Sequence, residues 1–146
     1  MIEIVNSDNL NDLLELMHEY QLFYQVENID LNKNQAFFSQ FEGGNERGVQ
    51  FIRRINGEAV AFATMYFSYA STIAEKVGVI NDLYTVPANR QKGLAKELIN
   101  HCKVYAKERG CFRVQWLTAK DNTIAQAAYN KLAARSSEWV FYALPV

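Results

Sequence analysis

Proline is almost missing from this chain, two in 146 residues, and the seven glycines do not cluster. That excludes a collagen-like or proline-rich disordered polypeptide, and no low-complexity tract is present. Only two cysteines occur, Cys102 and Cys111, with no C-x-x-C spacing, and the two histidines, His18 and His101, lie far apart. A disulfide scaffold and a metal site are thereby excluded, and both thiols are expected to be buried or half-buried in a reducing cytoplasm. No apolar run approaches the roughly 20 residues of a membrane-spanning helix. Met1-Ile2-Glu3-Ile4-Val5 lacks a basic leader region and reads as a first strand, not a secretory signal. No helical or propeller repeat is visible.

What the chain does have is apolar and aromatic mass. Apolar residues make up 49% of it, with nine Phe, eight Tyr and two Trp, enough for one domain over 1–146 with its own core. The net charge of −1 hides an asymmetry. Residues 1–46 carry nine acids and one lysine, a balance of −8, whereas residues 90–135 carry ten Lys/Arg and three acids, a balance of +7. Such halves can offer a cation to one side and an anion to the other, although on charge alone ordinary solvated faces explain them as well.

The patterning predicts the order β-α-α-β-β-β-α-β-α-β. Ile2–Asn6 reads as a strand; Ser7 or Asp8 then caps a helix to about Tyr24, with Leu10, Leu13, Leu14, Met17 and Leu22 near helical spacing. A shorter helix follows at Asn32–Phe41, then a turn at Glu42–Asn45. Val49–Ile55 and Glu58–Tyr69 flank Asn56-Gly57, the preferred pair of a type I′ hairpin. Lys76–Val86 is a strand closed by Pro87. Gly93–Arg109 is an amphipathic helix ended by Gly110, followed by strand Phe112–Thr118, helix Asn122–Ala134 and a last strand Glu138–Leu144. Helices flanking a mixed sheet make the fold class α/β (α+β), with one right-handed βαβ unit over Lys76–Thr118.

The informative segment is the junction between the strand ending at Pro87 and the helix opening at Gly93. A helix start leaves backbone N–H groups unpartnered, and its dipole favours an anion there. Gly93 has no side chain to block a phosphate and Ala95 almost none, while Arg90, Lys92 and Lys96 add positive charge. Alone, R-x-x-G-x-A is a weak pattern, matched equally by a capped surface helix. It lacks the Gly-Lys-Ser/Thr of a P-loop and the three glycines of the dinucleotide fingerprint. Downstream, Asn122 and Tyr129 are two helical turns apart and share a face about 10 Å long.

Taken together, the strand, the R-x-x-G-x-A run at Arg90–Ala95, the long helix, Trp116-Leu117-Thr118 and the Asn122, Ala125, Tyr129 run resemble the GCN5-related N-acetyltransferase (GNAT) superfamily. The resemblance covers essentially the whole chain and is similar to the branch acting on small amines, polyamines, amino acids or histone-tail lysines. It implies a mostly antiparallel mixed sheet of about six to seven strands flanked by about four helices. It also implies acetyl-CoA as cosubstrate and acetyl transfer to a primary amine. By the same resemblance, backbone groups of Leu83, Tyr84 and Thr85 would pair with the pantetheine arm. The amides of Gln91, Lys92, Gly93, Leu94, Ala95 and Lys96 would hold the pyrophosphate. Asn122 would lie beside the pantetheine, and Tyr129 would donate a proton to the departing thiolate. Three positions depart from the family pattern: Thr85 where Val is usual, Ala95 where Gly is commoner, and Ala133-Ala134 in place of Gly-Phe.

A base for the incoming ammonium is harder to place. Where some relatives carry an acid, this chain has Asn81; Asp82 alternates to the opposite strand face, and Glu75, Glu27 or an ordered water are the other candidates. His18 and His101 read as surface or packing residues. The charge asymmetry fits a cationic acceptor: a polyamine, an aminoglycoside or a lysine-bearing peptide. A CoA-binding module without catalysis is the alternative, opposed by the presence of Tyr129. Nucleic acid is disfavoured because the basic residues are spread over two helices with no recognised motif. A homodimer through an exposed final strand is open.

Overall fold

The computed structural model describes residues 1–146. Its strands are β1 (Ile2–Ile4), β2 (Gly48–Ile55), β3 (Glu58–Ala70), β4 (Glu75–Thr85) and β5 (Arg113–Gln115); its helices are α1 (Leu10–Phe23), α2 (Leu31–Phe38), α3 (Leu94–Glu108) and α4 (Thr123–Asn130). The five strands form one sheet in sequence order, antiparallel except for the parallel β4–β5 pair. The expected hairpin forms around Asn56 and Gly57, both at positive φ (51° and 86°), as a type I′ turn demands.

Helices cover both faces. Beneath α3, Phe51, Ala61, Ala63 and Met65 of the sheet pack against Leu94, Leu98, Ile99 and Cys102. Beneath α1 and α2, Ile52, Phe62 and Tyr84 pack against Leu13, Met17 and Phe38. Strand alternation produces this division: Phe51 and Ile52 are neighbours and face opposite layers. Both are fully buried, each worth about 1.5–3 kcal/mol on the hydrophobic scale.

Several boundaries differ from the sequence expectation. Asn9, not Ser7 or Asp8, is the N-cap of α1, because its side chain joins the helix start to β1: it accepts from the Asn6 amide (2.8 Å) and donates to the Ile4 carbonyl (3.1 Å). Asp30 caps α2, accepting from the Asn32 and Lys33 amides, and the last expected turn of that helix tightens into a 3₁₀ segment at Ser39–Phe41. The largest correction is at the C-terminus. Glu138–Leu144 forms no strand, β5 is cut to three residues, and Trp139, Phe141, Tyr142 and Leu144 are exposed. The sheet therefore has five strands. Alternation supplies strand propensity, but a strand exists only with a ladder partner, and this segment has none.

β4 and β5 meet only over Val77–Val79 and Arg113–Gln115. Beyond that contact, Ile80–Thr85 is paired to β3 on one side and to no strand on the other. The result is an open β4 edge about 20 Å long at the usual rise per residue. Pro87–Asn89 makes a 3₁₀ turn at its end, and the chain then enters α3.

Candidate active site

The loop entering α3 carries the first element. Gln91 (φ 61°) and Gly93 (φ 83°) both adopt left-handed backbone, and Gly93 is the N-cap of α3 with no side-chain cap. Backbone of alternating hand turns successive N–H groups toward one point, the arrangement of an anion nest. No amide from Gln91 through Lys96 donates within the chain; the first to do so is Glu97, to the Gly93 carbonyl at 3.1 Å. A Cβ built on Gly93 would meet no protein atom within 4 Å, so the space above the nest is open.

Of the three cations expected there, Arg90 and Lys92 are engaged in shaping the loop. Arg90 donates from Nε to the Thr85 carbonyl (3.0 Å) and stacks over the rings of Phe23 and Tyr84, at 5.1 and 5.8 Å. Lys92 Nζ donates to the Ala88 carbonyl at 3.0 Å. Lys96 forms neither an ion pair nor a side-chain hydrogen bond. Leu83, Tyr84 and Thr85 lie in the stretch of β4 that has no strand on its outer side, and the Thr85 carbonyl is taken by Arg90.

Helix α4 carries the other two candidates. Asn122 caps it by accepting from the Ala125 amide at 3.2 Å, which leaves its Nδ2 free. Tyr129 is half-buried, its ring set edge-on against Trp116 with centroids 5.3 Å apart. Burial, with the nearby Tyr24 phenol adding to it, pushes the Tyr129 hydroxyl above its ordinary pKa and keeps it protonated at neutral pH. A cavity of about 1160 Å³ lies between β5, α4 and the C-terminal segment, lined in part by Gln115, Trp116, Tyr129 and Trp139.

The α1 face of β4 holds groups whose role the sequence did not reveal. The β3–β4 register shifts between Thr64 and Met65: Thr64 pairs with Asp82, Met65 with Ile80, and Asn81 is the extra residue of a bulge. A bulge breaks strict alternation. Asn81 and Asp82 therefore come to the same side, where Asn81 Nδ2 donates to Asp82 Oδ1 at 3.2 Å. This corrects the expectation that Asp82 would point away. Its carboxylate is half-buried among Thr64, Tyr20 and Tyr66, and burial raises its pKa against the opposing pull of Asn81, Thr64 and Tyr20. Tyr20 and Tyr66 are raised in turn, mainly by burial and then by the Asp82 charge, Tyr66 to about 12. Glu75 sits exposed at the far end of β4, and Glu27 is exposed beyond the end of α1, so neither joins this group. His101 packs edge-on against Phe51 (4.7 Å), and burial lowers its pKa.

A profile of the acetyltransferase (GNAT) family matches residues 11–134. The chain belongs to this family. Within it, the chain is 30% identical to an uncharacterized N-acetyltransferase, YhfO, of Bacillus subtilis (strain 168), over 80% of this chain and 76% of that protein. It is 26% identical to a thialysine N-epsilon-acetyltransferase of Caenorhabditis elegans, over 88% and 79% of the two chains. The solved structure of the aminoglycoside N-acetyltransferase AAC(6')-Iy in complex with CoA shares the fold, with a TM-score of 0.84 at 21% identity over 99% of this chain and 93% of that one. As a GNAT protein the chain is an N-acetyltransferase, and its fold is that of the family, with the α/β arrangement expected from sequence. No helix is long and apolar enough to cross a membrane.

Proposed function

We propose that this chain binds acetyl-CoA along the open β4 edge and the α3 nest and transfers the acetyl group to the primary amine of a small cationic acceptor. One observation carries the reading above the others: six consecutive amides, Gln91–Lys96, are without intramolecular partners around a glycine whose missing side chain leaves the space free. Unpartnered N–H groups at a helix start, with the positive end of the dipole behind them, suit a pyrophosphate. Backbone groups on the Leu83–Thr85 edge, the Thr85 carbonyl apart, suit an extended amide-bearing arm, and the uncommitted Asn122 Nδ2 offers a further donor. The CoA complex of AAC(6')-Iy supports the cofactor assignment, and the thialysine enzyme supports an amine acceptor.

In this reading Tyr129 holds the proton that the leaving sulfur needs. Its raised pKa keeps that proton in place until negative charge develops on the thiolate. The −8 balance of residues 1–46 favours a cation as the acceptor. Calorimetry with acetyl-CoA and a CoA-release assay over polyamines, amino acids, aminoglycosides and lysine peptides test the proposal together. Binding plus amine-dependent release is expected; binding without release from any amine indicates a non-catalytic CoA module instead.

A further inference from the structure

Glu97 is the only carboxylate between Leu83 and Lys107, the stretch that supplies the end of β4, the nest loop and α3 up to its last residue. It sits in the first turn of α3, four residues after the N-cap Gly93, which is about 6 Å along the axis. A helical side chain leans toward the N-terminus, so this carboxylate leans toward the unpartnered amides of Gln91–Lys96. The N–H groups and the dipole that suit a phosphate attract a carboxylate for the same reason. An unpaired Glu97 would compete for the nest from within the chain. Once displaced, it would repel the incoming diphosphate.

Glu97 is paired, and its partner comes from the sheet. Arg53 of β2 donates from Nε to Glu97 Oε2 at 2.7 Å, and its Nη1 donates to the Arg54 carbonyl, so the guanidinium is fixed at two points. The Arg53 side chain is 19% exposed against 47% for Glu97, so the cation is the better anchored of the two. Strand alternation aims it there. Arg53 follows Phe51 by two residues and shares its α3-facing side, whereas Arg54 turns the other way and pairs with Glu3 and Asp12. The β2–β3 register shifts between the two arginines. Lys96, the neighbour of Glu97 in sequence, makes no ion pair with it. We propose that Arg53 is a positioning residue for the cofactor: it neutralises Glu97 and holds that carboxylate off the nest, leaving the six amides to the diphosphate of acetyl-CoA. The inference rests on the acetyl-CoA reading above. Arg53 acts through Glu97 and not as a phosphate ligand. A pair that only fastened α3 to β2 would change stability and leave the nest's affinity for anions alone.

The test measures acetyl-CoA affinity of the full chain by calorimetry. Wild type comes first; no binding removes the acetyl-CoA reading itself, and this inference with it. Arg53→Met keeps the aliphatic stem and deletes the charge. At about 8 Å in water, a bare carboxylate facing the two charges of a diphosphate weakens binding about fivefold. Arg53→Met should therefore bind acetyl-CoA about fivefold more weakly than wild type at about 0.01 M salt. Most of that deficit should vanish at about 1 M salt, where charges are screened beyond about 3 Å. Adding Glu97→Gln to Arg53→Met should restore affinity to within about twofold of wild type, because no charge is left to cover. A pair that only fastens α3 to β2 gives other results: the double variant binds no better than Arg53→Met, and the deficit is the same at both salt concentrations. Either result overturns the assignment, as does a loss under about twofold for Arg53→Met at low salt. Should Arg53→Met not fold, Glu97→Gln alone decides. Its affinity at low salt should rise above wild type, since Arg53 is then an uncovered cation; an unchanged or lower affinity contradicts the proposal.

Discussion

Arg90 reaches back from the cradle loop to donate from Nε to the Thr85 carbonyl at 3.0 Å, so the residue that begins the R-x-x-G-x-A run ties the end of β4 to the start of α3. It acts as a strut between the two surfaces assigned to the cofactor. Arg90→Ala should release the loop and lower acetyl-CoA affinity about tenfold, equivalent to roughly 1.4 kcal/mol. Arg90→Lys should recover little of it, since a lysine keeps the charge but not the planar stacking on Phe23 and Tyr84. Calorimetry on the two variants measures this.

Gly93 sits at φ 83° with open space where a Cβ would go. Gly93→Val should therefore weaken acetyl-CoA binding well beyond tenfold while costing about 1–2 kcal/mol of stability for left-handed backbone. Gly110, at φ 76° beyond the other end of α3 and equally uncrowded, provides the control. Gly110→Val should show the same fall in thermal midpoint with unchanged cofactor affinity.

Tyr129→Phe keeps the ring on Trp116 and deletes only the hydroxyl. We expect kcat to fall about 10²–10⁴-fold at saturating acetyl-CoA with cofactor affinity retained. The sign of the pH effect follows from the acid role: activity is present while the phenol is protonated and is lost as pH rises through its pKa. Because burial raises that pKa, the alkaline limb of kcat in the wild type should lie above the ordinary tyrosine value of about 10, and it should be absent in the variant.

The −8 balance of residues 1–46 predicts a salt effect. For a cationic acceptor, kcat/KM should fall as ionic strength rises, since exposed charges are screened beyond about 10 Å at 0.1 M. A neutral amine should show no such trend, and stopped-time assays at several salt concentrations compare them.

The hairpin around Asn56-Gly57, the start of α3 at Gly93 and the two turns from Asn122 to Tyr129 were legible because each depends on local chemistry. A type I′ turn, a left-handed cap and a helical period are properties of a few adjacent residues. The Asp82 environment was not legible for the opposite reason. Its orientation depends on one extra residue, Asn81, in a pairing between strands, and strict alternation placed it on the wrong face. Thr64 and Gln50, its neighbours across the sheet, lie far from it in sequence and become neighbours only through register. The last strand failed likewise. Glu138–Leu144 has the composition of a strand, but pairing is decided by an edge elsewhere in the chain.

The most direct test of the account is amine-dependent CoA release coupled to mass analysis of the acceptor, with purified wild-type chain, acetyl-CoA and, as probe amines, lysine, spermidine and kanamycin. The account predicts one acetyl group gained by a primary amine for each CoA released. Tight acetyl-CoA binding with no acetylated amine, or no acetyl-CoA binding at all, would contradict it.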